Sequence, residues 1–242
     1  MEAIETRGLT KRYKDVTAVD GLNLQIHPGE LFALLGINGA GKTTTIKMLT
    51  GLTRPTAGEA FLCGRRIGDP AAQLGCKVGI SPQETAVAPN LTVRENLELI
   101  CGIHGFSKGK TGEKLGTLAA QFGLTPVLDK KAGKLSGGWQ RRLSIAMALI
   151  AEPQVLFLDE PTLGLDVIAR SELWDTIRSL KGSVTVILTT HYMEEAQVLS
   201  DRVGIMKDGK LLAVGTPAQL QEKTGADSFE NAFIAIVRGD GV

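Results

Sequence analysis

A chain of 242 residues with 43 % hydrophobic and 22 % charged side chains can bury one large core or two small ones, and this composition excludes disorder. A formal net charge of +1 excludes a strong electrostatic pull toward nucleic acid or anionic lipid, so no nucleic-acid partner is expected. The first eight residues lack the apolar stretch of a secretory signal, and runs such as 31–35 and 155–158 fall far below the ~18 apolar residues that span a bilayer.

The chain is therefore expected to be soluble and cytoplasmic, with any membrane role exercised through a partner. Three cysteines, Cys63, Cys76 and Cys101, show no C-x-x-C spacing, which predicts free thiols in a reducing compartment rather than a zinc site or a disulfide framework. Lys108, Lys110, Lys114, Lys130, Lys131 and Lys134 form a locally basic stretch that reads as a solvated face.

In chain order, residues 3–9, 22–26, 30–35, 59–62 and 77–80 read as strands, with Pro28-Gly29 marking a turn. Residues 42–52 read as a helix, with Ile46, Leu49 and Leu52 three apart and Gly51 near its stop. The pattern changes at about residue 84. Thr92 and Glu95 make a T-x-x-E capping box ahead of Leu97, Ile100, Cys101 and Ile103, and further helices are predicted over 113–122 and 137–151. From Gln154 the strand signal returns at 155–158, 185–189 and 202–207, alternating with helices at 168–180 and 193–199. That alternation predicts an α/β protein whose parallel sheet is covered on both faces and interrupted by a helical insert. Over 228–237, Phe229, Ala232, Phe233, Ile236 and Val237 share one helical face, so the tail should dock on its own domain or on a partner.

Three segments carry chemistry. Gly36-Ile37-Asn38-Gly39-Ala40-Gly41-Lys42-Thr43 fits G-x-x-x-x-G-K-[ST] between a strand and a helix. Its backbone N–H groups can curl around a β-phosphate, Lys42 can reach the β- and γ-phosphates, and the Thr43 hydroxyl can ligate Mg²⁺. Residues 155–158 form an apolar run ending in Asp159 and Glu160. Carboxylates at the C-terminal end of a buried parallel strand lie where open α/β sheets bind ligands: Asp159 suits the Mg²⁺ shell, and Glu160 can act as general base on a water. In Leu135-Ser136-Gly137-Gly138-Trp139-Gln140, Ser136 can cap the following helix while Gly137 and Gly138 leave N–H groups open to phosphate.

Taken in this order, the three segments resemble the motifs of ABC-family ATPases, and the resemblance covers residues 4 to about 235. It implies an ABC ATPase fold: a P-loop NTPase core with a mainly parallel sheet, an N-terminal antiparallel β subdomain and an inserted α-helical subdomain. It also implies one domain over 1–242, with core and β subdomain at 1–84 and 151–221, helical subdomain at 85–150 and a tail helix in 222–242. Matched to the family's pattern, Tyr13 stacks on adenine, and Gly36, Asn38, Gly39, Ala40, Gly41, Lys42, Thr43 and Thr44 hold ATP. Gln83 touches Mg²⁺ and the attacking water, with Thr43 and Asp159 completing the metal's protein ligands. Glu160 is the base, and His191 is the switch histidine at the γ-phosphate. Ser136, Gly137, Gly138 and Asp166 contact the ATP of a second subunit, which is either another copy or a similar chain. Trp139 departs from the pattern, which more often has glutamine there.

Segments around Ser81-Pro82-Gln83-Glu84, residues 90–97 and residues 190–196 resemble the exporter branch paired with ABC-2-type permeases. The implied function is an ATP-hydrolysing subunit that drives a membrane exporter by dimer closure. Such a subunit would sit peripherally on the inner face of the plasma membrane through a permease docked near 84–103. The rival reading is a soluble ABC-type ATPase of translation or DNA repair, but such proteins carry tandem cassettes or a long coiled coil, whereas this chain has one motif set and an ordinary insert.

Overall fold

The computed structural model describes residues 1–69 and 76–239. Two compact units emerge, one built from 1–76 with 181–242 and the other from 77–180. The subdomain limits expected at 84/85 and 150/151 both fall inside the second unit.

In the first unit, β1 (Ile4–Tyr13) pairs antiparallel with β2 (Val16–Ile26) and with β4 (Ala57–Leu62), which is flanked by the short β5 (Arg65–Arg66). Ile4, Thr6, Leu9, Leu22, Leu24 and Ile26 are buried while Glu5, Arg7, Asn23 and Gln25 reach water, the alternation of a sheet packed on one face. β3 (Leu31–Gly36) and β8 (Thr185–Thr190) are buried at every position and pair in parallel from Leu31↔Val186 to Leu35↔Thr190. β9 (Arg202–Lys207) lies parallel on the other side of β3, and β10 (Lys210–Gly215) turns back antiparallel to it. Strands buried on both faces need continuous apolar runs, which Leu-Phe-Ala-Leu-Leu and Val-Ile-Leu supply. Around this core lie α1 (Lys42–Leu49), α6 (Met193–Leu199), α7 (Pro217–Thr224) and α8 (Phe229–Arg238).

The amphipathic tail docks on its own unit. Phe229, Ala232, Phe233 and Ile236 are buried, and Lys207 Nζ donates to the Val237 carbonyl at 2.8 Å. Neither β10 nor α7 is anticipated from the sequence. α7 is nonetheless introduced by a capping box, Thr216 with Gln219, and closed by Gly225.

In the second unit, β6 (Val78–Ser81) runs parallel to β7 (Val155–Asp159), with Val78 opposite Val155 and Ser81 opposite Leu158. The helices are α2 (Val93–Ile103), α3 (Lys108–Gln121), α4 (Gly137–Leu149) and α5 (Val167–Arg178). The Thr92–Glu95 capping box opens α2 as expected. Buried Asn96 ties the preceding loop to that helix by accepting from Ala88 N–H at 2.8 Å and donating to the Ala88 and Thr92 carbonyls. Of the basic stretch, Lys108, Lys110, Lys130, Lys131 and Lys134 are exposed, and Lys114 pairs with Glu152 at 2.6 Å. Among the described residues no helix is long and apolar enough to cross a membrane.

The cysteines differ from expectation. Cys63 and Cys76 form a disulfide with Cα atoms 6.1 Å apart. Spacing gives no warning of this pair, because the two residues stand 13 apart and meet only through the fold. Cys101 is the free thiol; it is buried, and burial raises its pKa, which leaves it unreactive.

Candidate functional site: a phosphate loop and a carboxylate strand end

In the first unit the glycine loop leaves the end of β3 and delivers its last residues into α1. Gly36 cannot be larger, because a Cβ there would stand 2.5 Å from the Met206 carbonyl oxygen. Gly41 adopts φ 101° at the cap of α1, and a Cβ there would stand 2.4 Å from the Ala18 carbonyl oxygen. Either clash would push the loop off the sheet. Asn38 and Gly39 are exposed and Ala40 is buried; Lys42, Thr43 and Thr44 form the first turn of the helix.

Lys42 is 5 % exposed, and its ammonium donates to the Gly36 carbonyl at 2.8 Å and the Ile37 carbonyl at 3.3 Å. The cation therefore sits within the curl of the loop. No acidic residue occupies the first turn of α1, so its N-terminal dipole is left for an anion. The β9–β10 turn supports the loop, since Gly209 N–H donates to the Ala40 carbonyl at 3.1 Å and the Gly209 carbonyl accepts from Asp20 N–H at 2.9 Å. Tyr13 stands at the end of β1, 45 % exposed, with Lys11 Nζ 4.9 Å from its ring centroid. His191 directly follows β8, half-buried, its ring 4.2 Å from that of Tyr192.

In the second unit Asp159 closes β7 and Glu160 follows it, 6 % and 9 % exposed respectively. Glu160 has φ 46°, a left-handed conformation that costs a non-glycine residue about 1–3 kcal/mol and recurs at functional sites. The bend turns the chain sharply at the strand end, where the Leu163 N–H donates to the Glu160 carbonyl at 3.2 Å. Gln83 lies two residues beyond the end of β6, exposed, at the same edge of the parallel pair as Asp159.

Ser136 occupies the cap position of α4, yet its side chain makes no capping hydrogen bond, and Ser136 and Gly137 are exposed. No acidic residue sits in the first turn of α4. This helix end thus presents a hydroxyl and N–H groups outward. Asp166 caps α5, accepting from Ile168 N–H at 3.0 Å and Ala169 N–H at 2.9 Å.

One contributor is missed by the sequence reading. Arg141, 5 % exposed on α4, donates from both terminal nitrogens to the carbonyls of Pro82 and Gln83. Ser81 and Ser144 hydroxyls meet at 2.9 Å beside it. The helix that starts at Ser136 therefore also holds the backbone that carries Gln83. Only its place one turn into α4, on the face opposite solvent, could have signalled this. Arg141→Ala leaves the Pro82 and Gln83 carbonyls without their charged donor, at about 1.5–3 kcal/mol for each such bond. We expect lower stability in urea unfolding, together with a turnover that falls more than ATP affinity does.

A strand–glycine loop–helix with a buried lysine, a second strand ending in two carboxylates and a helix that opens at Ser-Gly-Gly define a nucleotide-hydrolysing P-loop protein. The chain belongs to the ABC transporter family, whose pattern it matches over residues 19–163. It is 44 % identical over 229 residues to a Nod factor export ATP-binding protein I of Burkholderia pseudomallei (strain 1710b), spanning 94 % of this chain and 75 % of that one. It is 39 % identical over 240 residues to the probable multidrug ABC transporter ATP-binding protein YbhF of Escherichia coli, covering 97 % of this chain and 41 % of that longer one. Among solved structures, an ATP-binding subunit of an ABC transporter superposes with a TM-score of 0.85 at 27 % identity, covering 97 % of this chain and 99 % of that one. The ATP-binding cassette MJ0796, a dimer in a post-hydrolysis state with ADP and Pi, superposes with a TM-score of 0.78 at 26 % identity, covering 88 % and 98 %. The expected fold and class are thereby met: this is an ATP-binding, ATP-hydrolysing subunit of the ABC family.

Proposed function

We propose that the chain is the motor of a membrane exporter, and that two copies, or this chain and a similar one, close head to tail over ATP. The observation that carries this reading is the outward-facing start of α4. Ser136 and Gly137 are exposed there and the serine hydroxyl makes no cap bond, in a chain that already owns a complete phosphate loop. A second phosphate-receptive helix end is useful to a nucleotide held by another subunit. In each closed site Gly36–Thr44 and Tyr13 of one subunit hold ATP, while Ser136, Gly137, Gly138 and Asp166 of the other complete its surroundings. Glu160 takes the proton of the attacking water, with Gln83 and His191 placing that water and the γ-phosphate.

The donor set also suits Mg²⁺. Thr43, Asp159 and Gln83 offer a hydroxyl, a carboxylate and an amide carbonyl, all hard oxygen ligands, and no cluster of three or more His, Cys, Asp or Glu residues competes among the described residues. Mg²⁺ bound there would offset phosphate charge.

Closing with ATP and opening after hydrolysis does work on a partner only if that partner has different affinity for the two states. A permease dock is proposed on the segment 84–103. There Leu99 and Ile103, one turn apart on α2, are 47 % and 71 % exposed. Export as the direction follows the name of the Nod factor relative, and the location follows the permease: the inner face of the plasma membrane. Affinity purification of the tagged chain from detergent-solubilised membranes should recover an integral membrane protein in stoichiometric amount. A pool bound instead to ribosomes or DNA would favour the soluble rival.

A further inference from the structure

Trp139 is the residue at which the segment 135–140 departs from the ABC-family motif that it resembles, and it is half-buried on α4. It lies one turn before Arg142 on α4, so the two side chains share a face. The Arg142 guanidinium carbon stands 5.2 Å from the indole centroid, within the range of a cation–π contact, for which tryptophan is the best partner. Arg142 also pairs with Glu172 on α5, and its side chain is only 13 % exposed. On a third side it lies against Gly123, where an added Cβ would stand 3.1 Å from Nη1.

The Trp139–Arg142–Glu172 chain thus joins the first turn of α4 to the helix that Asp166 caps. The signature glycines bear on the same place: a Cβ on Gly138 would stand 3.2 Å from Ala169 Cβ, and one on Gly137 3.8 Å from Leu165 Cδ2. From this arrangement we infer that Trp139 is a positioning residue. By stacking on Arg142 it fixes the attitude of Ser136–Gly138 relative to the Leu165–Asp166 turn, so that both reach a second subunit's ATP together. A guanidinium that stacks on an aromatic face keeps its in-plane donors for a carboxylate. Glutamine at position 139 has no such face and would leave Arg142 held by Glu172 alone. The inference rests on the closed-dimer reading above.

The test uses the full chain. In the Glu160→Gln background, the ATP concentration that half-saturates dimer formation is read by sedimentation, and nucleotide affinity of the monomer is read with a fluorescent ATP analogue. Trp139→Ala should raise the half-saturating concentration about five- to tenfold, with Trp139→Gln close to it and Trp139→Phe recovering most of the loss. Monomer affinity should stay within about twofold of the parent, because Trp139 is remote in role from the phosphate loop. In the wild-type background the same changes should lower kcat/KM for ATP, because turnover at a given ATP concentration follows the fraction of closed dimer.

Dimerisation of Trp139→Ala at the parent's ATP concentration, or loss of monomer affinity in step with dimerisation, would overturn the inference. Should the parent itself stay monomeric, the closed-dimer reading falls and takes the positioning role with it, whereas a parent that dimerises beside an unaffected Trp139→Ala sinks the positioning role alone.

Discussion

Glu160→Gln is expected to bind ATP as the parent does and to lose hydrolysis by about 10²–10⁴-fold, the span over which general bases act, equivalent to about 3–5 kcal/mol of barrier. Glutamine keeps the length and shape of the side chain and removes the group that accepts the proton. Because Glu160 stands at φ 46°, substitutions that alter backbone preference would confuse catalysis with folding; glutamine leaves that preference essentially unchanged. Thermal unfolding of the variant, measured beside the parent, separates a folding defect from a catalytic one. The variant is assayed by phosphate release at saturating ATP. Turnover near the parental rate would remove Glu160 as the base and move attention to Asp159 or His191.

Lys42→Ala should act earlier, on binding. The ammonium is buried within the loop and donates to two of its carbonyls, which holds its charge in the curl proposed to receive phosphate. Hydrogen bonds to charged groups contribute about 1.5–3 kcal/mol each, and contacts to two phosphates together imply a loss of about 10²-fold or more in ATP affinity. Calorimetric titration with ATP and with ADP separates the two phosphates. ADP affinity should fall less than ATP affinity, because the γ-phosphate contact is missing from ADP in any case. An unchanged Kd for both nucleotides would contradict the placement of Lys42 at the phosphates.

Most of the candidate site is legible in the sequence because it depends on local chain geometry. A glycine loop between an apolar strand and a helix, or two carboxylates ending an apolar run, is specified by a handful of neighbouring residues. The central strands are equally readable, since burial on both faces demands runs such as residues 31–35 and 155–158. Contacts between segments far apart in the chain are not. Arg141 looks like one of two adjacent arginines on an amphipathic helix, and only the fold brings it to the carbonyls of Pro82 and Gln83. Cys63 and Cys76 meet for the same reason. β10 escapes because its burial is mixed and Lys210 is polar, while its pairing with β9 is fixed by the turn at Asp208-Gly209, a signal easily lost beside the stronger strands. Asp166 is visible as part of a motif, but its carboxylate turns out to cap α5, a task that fixes the turn before it.

The central claim is that ATP joins the phosphate loop of one subunit to the Ser136–Gly138 helix end of another. Sedimentation velocity of Glu160→Gln, with and without Mg²⁺ and ATP, tests it most directly. The account predicts a monomer without nucleotide and a dimer with ATP that dissociates when Ser136→Arg fills the helix end. A variant that binds ATP yet sediments as a monomer at saturating nucleotide, or a dimer indifferent to Ser136→Arg, would contradict it.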